Sequence, residues 1–224
     1  MTFLSFSLFL VGCLATMEAS LSSSVIDEEG APVSDASVTI YDLDEEIHST
    51  TRTNSDGSFT VSLPPLQTFF AVLEHENYLS TSHTGFAGEG QTQAEEDLII
   101  RNEELFRIRQ AEYPDCGESF GFIEGEVRVA IPQQEIEDMP IVTTARAIAY
   151  NLDYVGTEAC YIDPSTEPPQ TGETGRYLIA NLREGLHEVL LTVQYDPQTQ
   201  KEFYYLVYVP QNGIAPLLPN LIPL

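Results

Sequence analysis

The stretch GAPVSDASVTIYD, residues 30–42, turns at Gly30 and then alternates, with Val38 and Ile40 on one side and Ser37, Thr39 and Tyr41 on the other. A period of two over such a run marks a half-buried strand. TNSDGSFTV follows at residues 53–61, packing Asn54, Asp56 and Gly57 before an aromatic and β-branched run that places Phe59, Val61 and Leu63 on one face. Such a loop invites a calcium reading. An EF-hand needs oxygen ligands at its first and last positions, and fitting Gly57 to the sixth position puts Arg52 and Leu63 there. The dipeptide Asp56-Gly57 is instead what a tight hairpin turn uses, since glycine tolerates positive φ.

Working outward, short strands fill most of the chain. SSSVI precedes Asp27, HSTTRTN and TFFAVLEH read as further strands, and YLSTSHT continues in extended character. Closely spaced strands separated by Gly, Pro and Asp turns predict a sandwich. The layout then recurs. In TGETGRYLIANLREGLHEVLLTV, Thr174-Gly175-Arg176-Tyr177 matches Asp56-Gly57-Ser58-Phe59, and GFIEGEVRVAI with TTARAIAYNL mirrors the strands upstream of the first turn. Self-similarity of this kind predicts two tandem modules. Between them Asn102 is an N-cap candidate, with Glu103 and Glu104 in a first turn and Arg107 and Arg109 near the end, an order that suits the helix dipole. A short helix stopped by Pro114 is expected, with a strand through LFRIR as the alternative.

The paired motifs GAPVSDASVTIYD and TNSDGSFTV resemble the carboxypeptidase regulatory-like domain, a transthyretin (prealbumin)-like β-sandwich. The resemblance covers about Leu21 to Ser82, and a weaker one covers Phe122 to about Tyr208, where PQQEIEDMP replaces the Gly-x-Pro-Val hairpin. It implies an all-β chain of two tandem transthyretin-like Greek-key sandwiches joined by a short linker helix, and a non-catalytic accessory or surface role. The expected division is a signal and tether at 1–20, a first sandwich at 21–101, a linker helix at 102–115, a second sandwich at 116–210 and a Pro-rich tail at 211–224.

The chain of 224 residues carries 35 acidic and 9 basic residues, a formal net charge of −26, with Lys201 its single lysine. Such a surface repels phosphate backbones and anionic leaflets, which argues against a nucleic-acid partner and against direct membrane adsorption. The apolar run FLSFSLFLVGCLA is shorter than the about 20 residues of a membrane span and reads as the core of a secretion signal. Within it LVGC, residues 10–13, resembles the bacterial lipobox, which implies lipidation of Cys13; cleavage near CLAT, with Cys13 lost, is the alternative. No basic residue precedes the run, a departure from the usual signal. Leu14 after the cysteine points to an outer-membrane lipoprotein, with periplasm or cell surface as the broader expectation. The other two cysteines, Cys116 and Cys160, form an even pair that a structural disulfide would join in an oxidising compartment.

Several motifs imitate chemistry. GESFG, residues 117–121, satisfies the nucleophile-elbow pattern, and Asp153 or Asp163 and His187 follow in hydrolase order. The elbow needs a strand before the serine and a helix after it, whereas a turn-like YPDCG precedes Ser119 and a strand pattern follows, so Ser119 is not assigned as a nucleophile. HENYL at 75–79 lacks the second histidine of a zinc helix, although His75 and His83 are close enough in sequence to meet across a hairpin. Asp27, Glu28, Glu29, Asp42, Asp44, Glu45 and Glu46 are solvated acidic loops or a weak cation site, the former being favoured. No catalytic residue, metal ligand or cofactor is assigned. Tyr204, Tyr205 and Tyr208 in KEFYYLVYVP are the candidate binding residues, for stacking on a glycan or gripping a peptide, with coverage of an outer strand face as the plainer reading. The expected function is a non-catalytic envelope module engaging a protein partner, with glycan binding or service to a hydrolase system as alternatives.

Overall fold

A computed structural model describes residues 19–88, 91–93, 97–113, 116–117, 121–153, 155–162, 169–196 and 198–223. The first module runs through β1 (Ala19–Ile26), β2 (Ser37–Tyr41), β3 (Ile47–Arg52), β4 (Ser58–Leu63), β5 (Thr68–Glu74), β6 (Tyr78–Leu79), β7 (Thr81–Phe86), β8 (Gln91–Gln93), β9 (Leu98–Ile99) and β10 (Arg101–Asn102). Helix α1 (Glu103–Gln110) follows, then β11 (Gly121–Ala130), β12 (Ala145–Asn151), β13 (Gly156–Glu158), β14 (Arg176–Leu182), β15 (Gly185–Asp196), β16 (Thr199–Val209) and β17 (Ile214–Pro223). Among the described residues the fold is all-β with one α-helix, as expected.

In the first module β4 pairs antiparallel with β1, while β8 and β9 pair parallel to β1's two halves. The facing sheet has the order β7-β5-β2-β3. Alternation fills the space between: Val38 and Ile40 from β2, Phe59, Val61 and Leu63 from β4, and Phe69, Ala71 and Leu73 from β5 share one core. The second module repeats this with β14-β11-β17 facing β13-β12-β15-β16. Its core takes Ile123 and Val127 from β11, Ala145, Ala147 and Ala149 from β12, and Val189, Leu191 and Val193 from β15.

The repeat holds down to individual hydrogen bonds. Thr53 Oγ1 donates to Val33 O (2.7 Å) and accepts from Ala36 N–H (2.9 Å). Thr171 Oγ1 donates to Val142 O (2.6 Å) and accepts from Ala145 N–H (3.2 Å). Gly57 (φ 78°) accepts from Val25 N–H at 2.9 Å, and Gly175 (φ 69°) accepts from Val127 N–H at the same distance. A Cβ on Gly57 would lie 2.6 Å from Val25 O, so this turn requires glycine for contact as well as for φ. Asp56 closes it by accepting from the backbone and hydroxyl of Ser58.

Residues 211–224, set apart in the sequence as a Pro-rich tail, contribute β17. This strand runs parallel beside β11 from Phe122↔Ile214 to Ala130↔Pro223, and Ile214 also bridges to Thr81 of β7. The Ile214↔Thr81 bridge joins the two modules' sheets into one of seven strands, β14-β11-β17-β7-β5-β2-β3. The segment is rich in Ile, Leu and Ala, and Pro219 falls where the ladder to β11 shifts register.

Candidate functional site at the joint between the modules

Helix α1 starts as the sequence predicts. Asn102 Oδ1 accepts from the backbone of Glu104 (3.0 Å) and Leu105 (3.1 Å), and the helix ends at Gln110 ahead of Pro114, which lies outside the described residues. Phe106 buries its ring against Phe122 of β11, centroids 4.9 Å apart, in a cluster with Leu79, Tyr113, Leu178 and Ile214. Cys116 and Cys160 are disulfide-bonded, Cα atoms 5.6 Å apart, and pack against this cluster. The bridge therefore ties the segment after the helix to the second module.

Four charged side chains meet beside it. Glu28 Oε1 lies 2.9 Å from Arg101 Nη1 and 2.8 Å from Arg109 Nη1, while Glu124 faces the same two arginines at 3.5 and 3.3 Å. Glu28 Oε2 also accepts from Asn102 N–H at 3.1 Å. Side-chain exposure is 10% for Glu28, 6% for Glu124, 12% for Arg101 and 25% for Arg109, so the quartet is largely withdrawn from water and electrically neutral. It links the first turn of one module, the helix and the central strand of the other. Burying charge is costly unless each charge is paired, and here two cations alternate with two anions. The sequence carried one overlooked signal: Glu124 interrupts the apolar run of β11 at a position that must be buried.

A second contact lies across the sheet. Tyr208 stacks on Tyr41, centroids 4.7 Å apart and rings 15° from parallel, with Phe70 at 6.1 Å. Its hydroxyl donates to Glu184 Oε1 at 3.1 Å, and burial pushes the phenol above its ordinary range. Thr84 Oγ1 donates to Leu206 O (3.3 Å), and Leu186 N–H donates to Glu45 Oε1 (3.4 Å).

The expected tyrosine patch is corrected by this joint. Tyr204 is 58% exposed, with its hydroxyl donating to Glu202 at 2.9 Å; Tyr205 turns inward against the second core; Tyr208 is 4% exposed. Period-two alternation separates Tyr205 from the other two, and the first module covers Tyr208. The three do not form one surface.

The remaining candidates fall apart in physical detail. Asp27 Oδ1 accepts from the backbone of Glu29 and Ala31, and Asp42 Oδ1 from that of Asp44 and Glu46, so both carboxylates are used in holding turns. Among the described residues no group of three His, Cys, Asp or Glu is placed to hold a metal ion. His75 donates to Glu76 O (2.7 Å) and His83 to Ile99 O (2.9 Å), each committed to a different carbonyl. Burial lowers the His83 pKa to about 4. His187 donates Nε2–H to Arg183 O at 2.9 Å, and burial lowers its pKa as well. Cys13, Ser119 and Asp163 lie outside the described residues. Gly121 opens β11, where a nucleophile elbow requires a helix.

The family model of the carboxypeptidase regulatory-like domain matches residues 20–99, within the first module. No curated protein matches the chain. Among solved structures the chain is similar to the TIE protein of Bacillus anthracis, at 13% identity and TM-score 0.34, over 92% of this chain and 34% of that one. It is likewise similar to the minor pilin GBS52 of Streptococcus agalactiae, at 11% identity and TM-score 0.29, over 92% and 94%. A Streptococcal ancillary pilin gives 10% identity and TM-score 0.31, over 93% of this chain and 62% of that one. The chain thus spans less than two thirds of two of these three proteins. No helix among the described residues is long and apolar enough to cross a membrane.

Proposed function

We propose that this chain is a non-catalytic structural and binding module of the cell envelope, exported, held by a lipid on Cys13 and engaging a protein partner. The observation that supports it most is the joint. A shared sheet, a buried ionic quartet and a tyrosine stack hold two sandwiches together, as suits a spacer that presents its surface at a set distance from an anchor. The Cys116–Cys160 bridge fits an oxidising compartment, and a net charge of −26 fits an exposed, solvated surface.

The test expresses the chain with its own N-terminus and compares it with Cys13→Ala. The expected result is a membrane-pelleted protein whose mature N-terminus is a lipid-modified Cys13, released to the soluble fraction by the substitution. An unmodified N-terminus downstream of Cys13 overturns the anchor. Pull-down from detergent-solubilised envelope then identifies the partner, and labelling of Ser119 by a fluorophosphonate probe would replace the non-catalytic reading with a hydrolase one.

A further inference from the structure

Three connections of the second module meet at one end through their described residues: 152, 153 and 155 between β12 and β13, 183–184 between β14 and β15, and 210–213 between β16 and β17. Two cavities of about 240 and 460 Å³ open there and share Asn181, Leu182 and Arg183 along their common wall. Their combined size suits a small ligand rather than a protein surface.

Two groups on these walls, Asn151 and Arg183, keep binding capacity to spare. Asn151 Oδ1 accepts from the backbone of Asp153 and of Val155, both at 3.0 Å, which fixes the amide and leaves its Nδ2 donors without a partner among the described residues. Arg183 makes no ion pair among the described residues, in a chain where acidic groups outnumber basic ones by 35 to 9. Its backbone is held by His187, which is 4% exposed and pairs with Asn151 across the β12–β15 ladder. Asp153 supplies an acceptor on the same wall, and Val155, 62% exposed, an apolar face.

We infer that this cleft binds a neutral carbohydrate, one or two sugar residues long, through Arg183, Asn151 and Asp153. A sugar hydroxyl both donates and accepts, which matches donors and an acceptor set side by side. The one cation of the lining, Arg183, stands among two carboxylates, Asp153 and Glu184, so an anionic ligand gains no net attraction from the site and meets the repulsion of the acidic surface around it. Val155 offers the C–H face of a pyranose its apolar contact. The site is distinct from the tyrosines of β16, and its occupancy depends on neither the anchor nor the partner proposed above.

Calorimetry on the purified chain tests it directly, with neutral gluco-, galacto-, manno- and xylo-oligosaccharides and a uronic-acid oligosaccharide as probes. Binding of at least one neutral probe is expected, falling at least tenfold in Arg183→Ala and in Asp153→Ala. Arg146→Ala, which removes another cation away from the cleft, should leave it unchanged. Unaltered thermal melting of the two cleft variants separates lost contact from lost fold. Absence of binding to every neutral probe, preference for the uronate, or undiminished binding in both cleft variants overturns the assignment. Because no membrane is involved, this outcome is independent of whether Cys13 is lipidated.

Discussion

Thr53 and Thr171 occupy equivalent corners of the two sandwiches, each donating to one buried carbonyl and accepting from one buried N–H. Replacing either by valine keeps the shape and strands both backbone partners. Each substitution is expected to cost about 1–3 kcal/mol, with serine recovering most of it, read as a lowered urea midpoint at unchanged slope.

Gly57 and Gly30 separate two reasons for glycine. Both have positive φ, but a Cβ on Gly30 meets nothing within 4 Å whereas one on Gly57 meets Val25 O at 2.6 Å. Gly30→Ala should cost about 1–2 kcal/mol from conformation alone. Gly57→Ala should cost clearly more, and the gap between their thermal midpoints measures the close approach.

Glu124→Gln removes one anion from the quartet and leaves two arginines sharing Glu28. A loss of about 3–5 kcal/mol is expected, as for other buried pairs broken on one side. The loss should be concentrated at the joint: amide exchange should accelerate in α1 and at Ile214 before it does so in the core of β2 and β5.

His83 lies opposite Ala71 in the β5–β7 ladder, and its pKa is lowered from 6.5 to about 4. Burial is the main cause, with Arg101 adding to it, and the bond to Ile99 O opposing. The native imidazole therefore stays neutral in a range where the unfolded one takes a proton. Stability from this group is complete above about pH 6.5 and declines as pH falls toward about 4, by about 3 kcal/mol in all. His83→Gln, which retains a donor for Ile99 O, should flatten that part of the pH profile of the denaturation midpoint.

Reducing the Cys116–Cys160 bridge opens a loop closed across a sequence separation of 44. The chain-entropy relation puts its contribution at about 4 kcal/mol. Melting with and without reductant checks this, and a Cys116→Ser/Cys160→Ser double variant should be insensitive to the reductant.

Much of the architecture was readable because local chemistry and global fold agree. Val38 and Ile40 alternate because β2 has one buried face; Asn102 caps because its carboxamide accepts from the N–H groups of Glu104 and Leu105; the echo of Asp56-Gly57 in Thr174-Gly175 reflects two turns docked on equivalent strands. The joint was not readable. Glu28 looked like part of a solvated acidic loop, and only its distance to Arg101 and Arg109, set by tertiary packing, shows otherwise. Tyr208 misled for the same reason: alternation predicts which face it takes, but not that another module covers that face. The cleft at the end of the second module joins residues far apart in sequence, and no local pattern announces such a meeting.

The position of β17 has a consequence for how the molecule assembles. It supplies the pairing that unites both sheets, yet it follows every other strand of the two modules in the chain. The quartet and the Tyr41–Tyr208 stack draw on residues made earlier, but the edge of β7 stays open and the two sheets stay unpaired until residue 214 arrives. One strand thus closes the second sandwich and joins it to the first in the same step.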